Sequence, residues 1–298
     1  MKTSIFILPK IQLLLIILHY NTAMQFYPFL FLQDWFNRLD YALRQLFRWK
    51  RGKVKLQNQP KENLFHELTL ETQIIAQSLE ERLRSEYHLD YLSQHSSREN
   101  YRENLYYLSL LETTFNQAKI RLHQEITVAD IGVSSWFYVQ ALAAFLKWHQ
   151  APDSRMVHLY GYERDAFRVY TDFHSRFDHA QAYMNGLHNV HYLPQPFNLQ
   201  ADRFDLIFML FPFVFLADHL KWGLPKNQFQ PETLLSIAWQ SLKKGGFLVI
   251  VNQGEREHLA QKQLLEKVAI PIHNEFKFES PLFHYDLERY VLVATNND

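Results

Sequence analysis

The stretch Val128-Ala129-Asp130-Ile131-Gly132-Val133-Ser134-Ser135-Trp136 decides the fold. An apolar run ends in an acid, turns through one glycine and passes into a segment with helical spacing. In an open α/β sheet this order sets backbone N–H groups and a carboxylate at the carboxyl edge of a strand, where ligands bind. Ser134 or Ser135 can cap the helix that follows. Ordinary strand-to-helix turns share the order, so its meaning depends on the rest of the chain.

Downstream, short β-rich runs alternate with helical stretches. Ile126 to Ile131, Val157 to Tyr162, Asn189 to Leu193, Phe204 to Leu210 and Phe247 to Asn252 are expected strands. Helices are expected near Trp136 to His149, Asp165 to Met184, Pro231 to Leu242 and Arg256 to Val268. Such alternation specifies a mainly parallel sheet with helices on both faces. Ile272 to Phe278 and Tyr290 to Thr295 are separated by a short segment containing Pro281, which favours an antiparallel strand at the end.

Glu163 closes the second strand, 31 positions after Gly132, where an acid can accept hydrogen bonds from both hydroxyls of a ribose. A dinucleotide needs G-x-G-x-x-G for close approach to its pyrophosphate, and here Ser134 and Trp136 stand in that loop. The loop G-x-x-x-x-G-K-[ST] of nucleoside triphosphate sites is absent. S-adenosylmethionine has no phosphate. It asks for an acid near its amino group, backbone donors for its carboxylate and an acid for its ribose.

At these residues the chain resembles the class I S-adenosylmethionine-dependent methyltransferases, over residues 120 to 296. Asp130-Ile131-Gly132 is similar to their first motif and Gly161-Tyr162-Glu163 to their second. Phe204-Asp205-Leu206-Ile207-Phe208 is similar to their fourth strand, and Leu242-Lys243-Lys244-Gly245-Gly246-Phe247-Leu248 to the turn into their fifth. The family's D-x-G-x-G-x-G is reduced to one glycine, and Asn198 stands near the place of the usual acid after the third strand. The resemblance implies a Rossmann-like sheet of seven strands with the last antiparallel, and S-adenosylmethionine as cofactor. Asp130, Gly132, Ser134, Glu163, Asn198 and Phe211 are then the expected cofactor contacts. Asn252, Gln253 and Glu255, at the end of the fifth strand, and His219, a candidate base, are expected on the substrate side.

Met209-Leu210-Phe211-Pro212-Phe213 lacks the [DN]-P-P-[FY] arrangement that holds exocyclic amines, which disfavours a DNA base as acceptor. Thirty-one basic residues balance thirty-one acidic ones, so there is no strong nucleic-acid signal. A small-molecule acceptor is expected. The chain has no cysteine, and its fifteen histidines form no known zinc motif, so no metal is expected. Asp172 and Arg176 have the spacing of an exposed helical ion pair.

Residues 1–119 read as an N-terminal helical extension and 120–298 as the methyltransferase-like domain. The extension holds an amphipathic helix from Trp35 to Phe47, a polar linker from Gly52 to Asn63, and helices near Glu67 to Arg84 and Arg98 to Phe115. Residues 1–23 are either an apolar anchor or sequence upstream of a start at Met24. A cytoplasmic enzyme is expected; one alternative is a peripheral methyltransferase at the inner membrane, held through its basic amphipathic N-terminus and acting on a lipid or quinone-like substrate. A non-catalytic, methyltransferase-like binding or scaffold protein is the other.

Overall fold

The computed structural model describes residues 31–297. In chain order the helices are α1 (residues 31–47), α2 (Leu70–Glu86), α3 (Asp90–Gln94), α4 (Arg98–Gln117), α5 (Val139–Trp148), α6 (Arg176–Tyr183), α7 (Leu216–Lys221), α8 (Pro231–Gln240) and α9 (Gly254–Lys267). The strands are β1 (Glu125–Ile131), β2 (Met156–Tyr162), β3 (Val190–Leu193), β4 (Phe204–Leu210), β5 (Leu242–Gln253), β6 (Asn274–Phe278) and β7 (Arg289–Thr295). They form one seven-stranded sheet in the order β3-β2-β1-β4-β5-β7-β6.

The strands from β3 to β5 are parallel, and β7 runs antiparallel to both β5 and β6. The sheet is therefore mixed rather than mainly parallel, because the ten residues before β7 hold no crossover helix and the chain returns directly beside β5. The order 3-2-1-4-5 is that of a doubly wound sheet. Its direction of winding reverses between β1 and β4, so the crevice for a ligand lies beyond the carboxyl ends of these two strands.

Side chains alternate to two cores. Val128, Leu206, Val249 and Val293 face one, with Leu105, Leu108, Leu142 and Phe145 of α4 and α5. Ala129, Ile207, Ile250 and Leu292 face the other, with Leu235 of α8 and Leu265 of α9. Burial on both faces explains the near-continuous apolar strands.

The residues expected to turn into the fifth strand lie inside β5, where its register against β4 shifts, and the glycine there has a structural cause. A Cβ on Gly246 would lie 2.9 Å from the Lys243 carbonyl oxygen and 3.1 Å from that of Phe204. Lys243 also reaches the Asp205 carboxylate at 2.8 Å. These residues stand at the amino end of β4, the edge opposite the ligand crevice.

Two compact units divide the chain, residues 1–46 with 215–229 and residues 47–214 with 230–298. Helices α2 and α4 bury Leu83, Leu105 and Phe115 in the same core as β1. In the smaller unit, the polar residues of α1 hold the other segment: Asn37 donates to the carbonyls of Leu220 (2.8 Å) and Leu224 (3.0 Å), and Asp34 accepts from the Lys226 N–H. Leu32, Trp35, Phe36, Leu39 and Leu43 of α1 are exposed. The expectations for residues 1–23 lie outside the described residues. Among the described residues no helix is long and apolar enough to cross a membrane.

Candidate active site at the carboxyl edge of the sheet

The loop after β1 keeps a glycine-like backbone without its glycines. Gly132, Ser134 and Trp136 have φ of +81°, +52° and +56°. These are the three positions at which D-x-G-x-G-x-G places glycine. For a residue with a Cβ, the left-handed region costs about 1–2 kcal/mol. At Trp136 the cost is offset by burial. Its indole is fully buried against Gly161 of β2, where an added Cβ would lie 2.7 Å from the ring. Its Nε1–H donates to Asp130 Oδ2 at 2.8 Å.

Asp130 is fully buried. Oδ2 also accepts from the Tyr138 hydroxyl at 2.9 Å, and Oδ1 has no hydrogen-bond partner. Burial outweighs the two donations and pushes this carboxyl up to about 7. Glu163, also buried, bridges the turns after β1 and β2. Its Oε2 accepts from the Ser134 N–H and its Oε1 from the Asp165 N–H, both at 2.7 Å. Tyr192 of β3 donates to the Ser134 carbonyl at 2.8 Å.

Arg176 is not the exposed partner of Asp172 that its spacing predicts. It is buried, 3.6 Å from Glu163 and 3.5 Å from Asp165. The reason is local. The expected helix from Asp165 to Met184 begins only at Arg176, because Val169 bridges to Ser175 and Ser175 with Asp178 forms a capping box. The stretch before it is a turn, with Phe173 at φ +63°.

A second group lies near Asp130 on the same face. Tyr138 stacks on Tyr107 of α4, with ring centres 4.7 Å apart, and Tyr107 is hydrogen-bonded to Tyr285. The Tyr285 hydroxyl donates to Glu103 at 3.2 Å. Burial outweighs that bond and raises the Glu103 carboxyl to about 7. The Arg289 guanidinium covers Tyr285 and Phe211, 4.1 and 4.8 Å from their ring centres. Phe211, directly after β4, has φ +61° and is half-buried. A buried carboxyl, Asp130, and a half-buried one, Glu103, are thus joined through three tyrosines.

Asp130, Gly132, Ser134, Glu163 and Phe211 fall at this edge. Asn198 lies in the loop after β3 and is exposed. Asn252 is fully buried at the end of β5, its amide without a partner, and by alternation it faces the second core. Gln253 caps α9 with its backbone, and the N–H there is taken by Glu257 rather than by Glu255, which is exposed. His219 belongs to the other compact unit, buried with Nε2 3.0 Å from the Pro225 carbonyl. Glu103, Tyr107, Tyr138, Tyr285 and Arg289 carry no short-range signal. They come from α4, the cap of α5, the segment before β7 and the first residue of β7, and only the fold joins them.

No protein-family profile matches the chain, and no curated protein sequence matches it. Solved structures do. An S-adenosylmethionine-dependent methyltransferase from Aquifex aeolicus is 17% identical, with TM-score 0.43, over 63% of this chain and 89% of its own. One from Leishmania major is 11% identical, with TM-score 0.45, over 74% of this chain and 82% of its own. A Haemonchus contortus phosphoethanolamine N-methyltransferase, solved with phosphomonomethylethanolamine and S-adenosylhomocysteine, is 10% identical, with TM-score 0.41, over 63% and 53%.

Proposed function

We propose that the chain is an S-adenosylmethionine-dependent methyltransferase acting on a small-molecule acceptor. The observation that carries this reading is the loop after β1, left-handed at Gly132, Ser134 and Trp136 and tied by the Ser134 N–H to the acid that ends β2. The donor set fits the cofactor. Asp130 Oδ1, buried and unpartnered, suits the amino group, exposed Gly132 lets backbone approach closely, and each Glu163 oxygen keeps a lone pair for a ribose hydroxyl. S-adenosylmethionine supplies an electrophilic methyl group when bound. The protein's task is then to hold an acceptor atom about 3 Å from it, in line.

The aromatic group at the switch point supports a small acceptor. Tyr107, Phe211 and Tyr285 offer apolar faces, and Arg289 a cation. Glu103, with its carboxyl raised to about 7, is the group we assign to take the acceptor's proton near neutral pH. Isothermal titration with S-adenosylmethionine and S-adenosylhomocysteine tests the reading. We expect both to bind, with Glu163→Gln weakening each at least about tenfold through the lost charge-assisted ribose bonds. If neither binds, the enzyme reading fails.

One observation favours the second reading, a non-catalytic relative of such enzymes. Trp136 fills the space over Gly161 and takes a hydrogen bond position on Asp130. If wild type binds neither ligand and Trp136→Gly gains binding, a side chain has closed an ancestral cofactor site and the scaffold reading stands.

A further inference from the structure

We propose that Asp172, His174 and His179 form a binding site for a divalent transition ion of the zinc class. Contrary to the expectation of no metal, folding brings one donor atom from each residue to within 4.8 Å of the other two. Asp172 Oδ2 stands 3.2 Å from His174 Nδ1 and is hydrogen-bonded to His179 Nε2 at 3.0 Å. Donors about 2.0–2.1 Å from one tetrahedral ion are separated by about 3.3 Å, so two of the three spacings are already those of a metal site. Two imidazoles with one carboxylate suit zinc, cobalt or nickel rather than magnesium or calcium, and three protein ligands leave a position for water.

The geometry at His174 points the same way. Its Nδ1 is inaccessible to solvent and has no partner in hydrogen-bonding geometry, although the Asp172 oxygen is 3.2 Å off. An imidazole nitrogen and a carboxylate oxygen 3.2 Å apart are spaced as two ligands of one ion are. The frame is built by backbone. Tyr170 N–H donates to the His174 carbonyl at 2.8 Å, and the His174 N–H takes Asp172 Oδ1 at 3.0 Å, leaving Oδ2 for the cluster. The Ser175–Asp178 capping box fixes the start of α6, which carries His179. Arg51 and Trp49 hold the carbonyls of Asp172 and Phe173, at 2.7 and 2.9 Å. Such outer contacts orient ligands.

The site stands one side chain from the loop after β1. The Tyr170 ring meets His179 edge-on at 5.2 Å, and its hydroxyl is 3.3 Å from Ser134 Oγ. An ion here would stiffen the turn on which Ser134 rests.

The test is a titration of tag-free, chelator-treated full-length protein with Co²⁺ at pH 7.5, read by its d–d absorption, followed by displacement with Zn²⁺. We expect one equivalent to bind with the spectrum of a nitrogen–oxygen site. His174→Ala and Asp172→Asn should each weaken binding at least about tenfold, the scale on which even groups that only hydrogen-bond to the ligands act. His123→Ala, at an exposed histidine elsewhere, should leave it unchanged. Circular dichroism of each variant separates lost ligation from lost folding, and Asp172→Asn, at an exposed residue, is the variant least able to disturb the fold. The proposal is overturned if wild type takes up less than one equivalent, or if the folded ligand variants titrate like wild type.

Discussion

Asp130, near the end of β1, and Asp172, in the turn before α6, stand beside segments that touch through Ser134 and Tyr170, and they are opposite kinds of acid. Asp130 has no exposed surface and meets only neutral donors, from Trp136 and Tyr138; burial wins and its carboxyl rises to about 7. Asp172 is exposed. There the upward pull of burial, the largest single effect, is outweighed by the combined action of the His174 N–H and the imidazoles of His179 and His174, which hold its carboxyl below the usual range. Neutral hydrogen bonds do not replace the water lost by a buried carboxylate, whereas modest ones suffice when water stays. The first acid belongs to a packed cradle and the second to an open cluster.

The cradle depends most on Trp136, so replacing it should break the contrast most severely. Trp136→Ala removes a fully buried indole and one of the two donors to Asp130. We expect a loss of about 3–5 kcal/mol, read as a fall in urea midpoint at unchanged m-value. A loss below about 1 kcal/mol would mean that the loop does not rely on this side chain.

Next in size is the pH dependence of Asp130. Its folded carboxyl titrates near 7 and its unfolded one near 4, so the folded state binds the extra proton in between. The associated stability is complete below about pH 4 and is lost as pH rises through about 7. Over that window the group accounts for a decline of a few kcal/mol, at about 1.4 kcal/mol per unit. Glu103, also raised to about 7, adds a decline of the same sign. Asp130→Asn should flatten the curve between pH 4 and 7, leaving only the Glu103 part. An unchanged slope in the variant would show that Asp130 stays ionised when folded.

How much of this contrast is legible in sequence differs between the two acids. Strand ends are written locally, by apolar runs closing in Asp130 and Glu163, and the alternation after Ile126 places every strand of the sheet to within a few residues. The strand that doubles back is also legible, because the segment around Pro281 is too short for a crossover. The turn from Asp165 to Ser175 is not. Its residues satisfy helical spacing, and what prevents the helix is a bridge between Val169 and Ser175 and a cap at Ser175 that compete with it. Arg176 is therefore misread as solvated and the Asp172 cluster missed. Nor can spacing show that Glu103, Tyr285 and Arg289 meet, since that contact is made by packing α4 against the approach to β7.

In metal-free protein the open cluster should matter little to folding. Asp172→Asn removes an exposed carboxylate from two imidazoles, and solvent-exposed pairs of this kind contribute about 0–1 kcal/mol. Since its folded carboxyl is depressed, the contribution is present above the unfolded value near 4 and fades as pH falls through the lower, folded one. Thermal unfolding at pH 7 should shift by no more than a few degrees. A larger shift would move Asp172 into the class of buried, structural acids and erase the distinction from Asp130.

The smallest effect concerns the joint between the two turns. Ser134→Gly relieves a left-handed φ of +52° while keeping the N–H that Glu163 accepts. Relief of about 1–2 kcal/mol competes with about 0.4–1 kcal/mol of added freedom in the unfolded chain. The net expectation is a gain of about 0.5 kcal/mol in chemical denaturation, provided that the 3.3 Å contact between Ser134 Oγ and the Tyr170 hydroxyl contributes little. If the variant instead loses more than about 1 kcal/mol, that contact holds the turns together. The packed cradle and the open cluster would then unfold as one element, and metal binding at Asp172 should protect the Asp130 loop from hydrogen exchange.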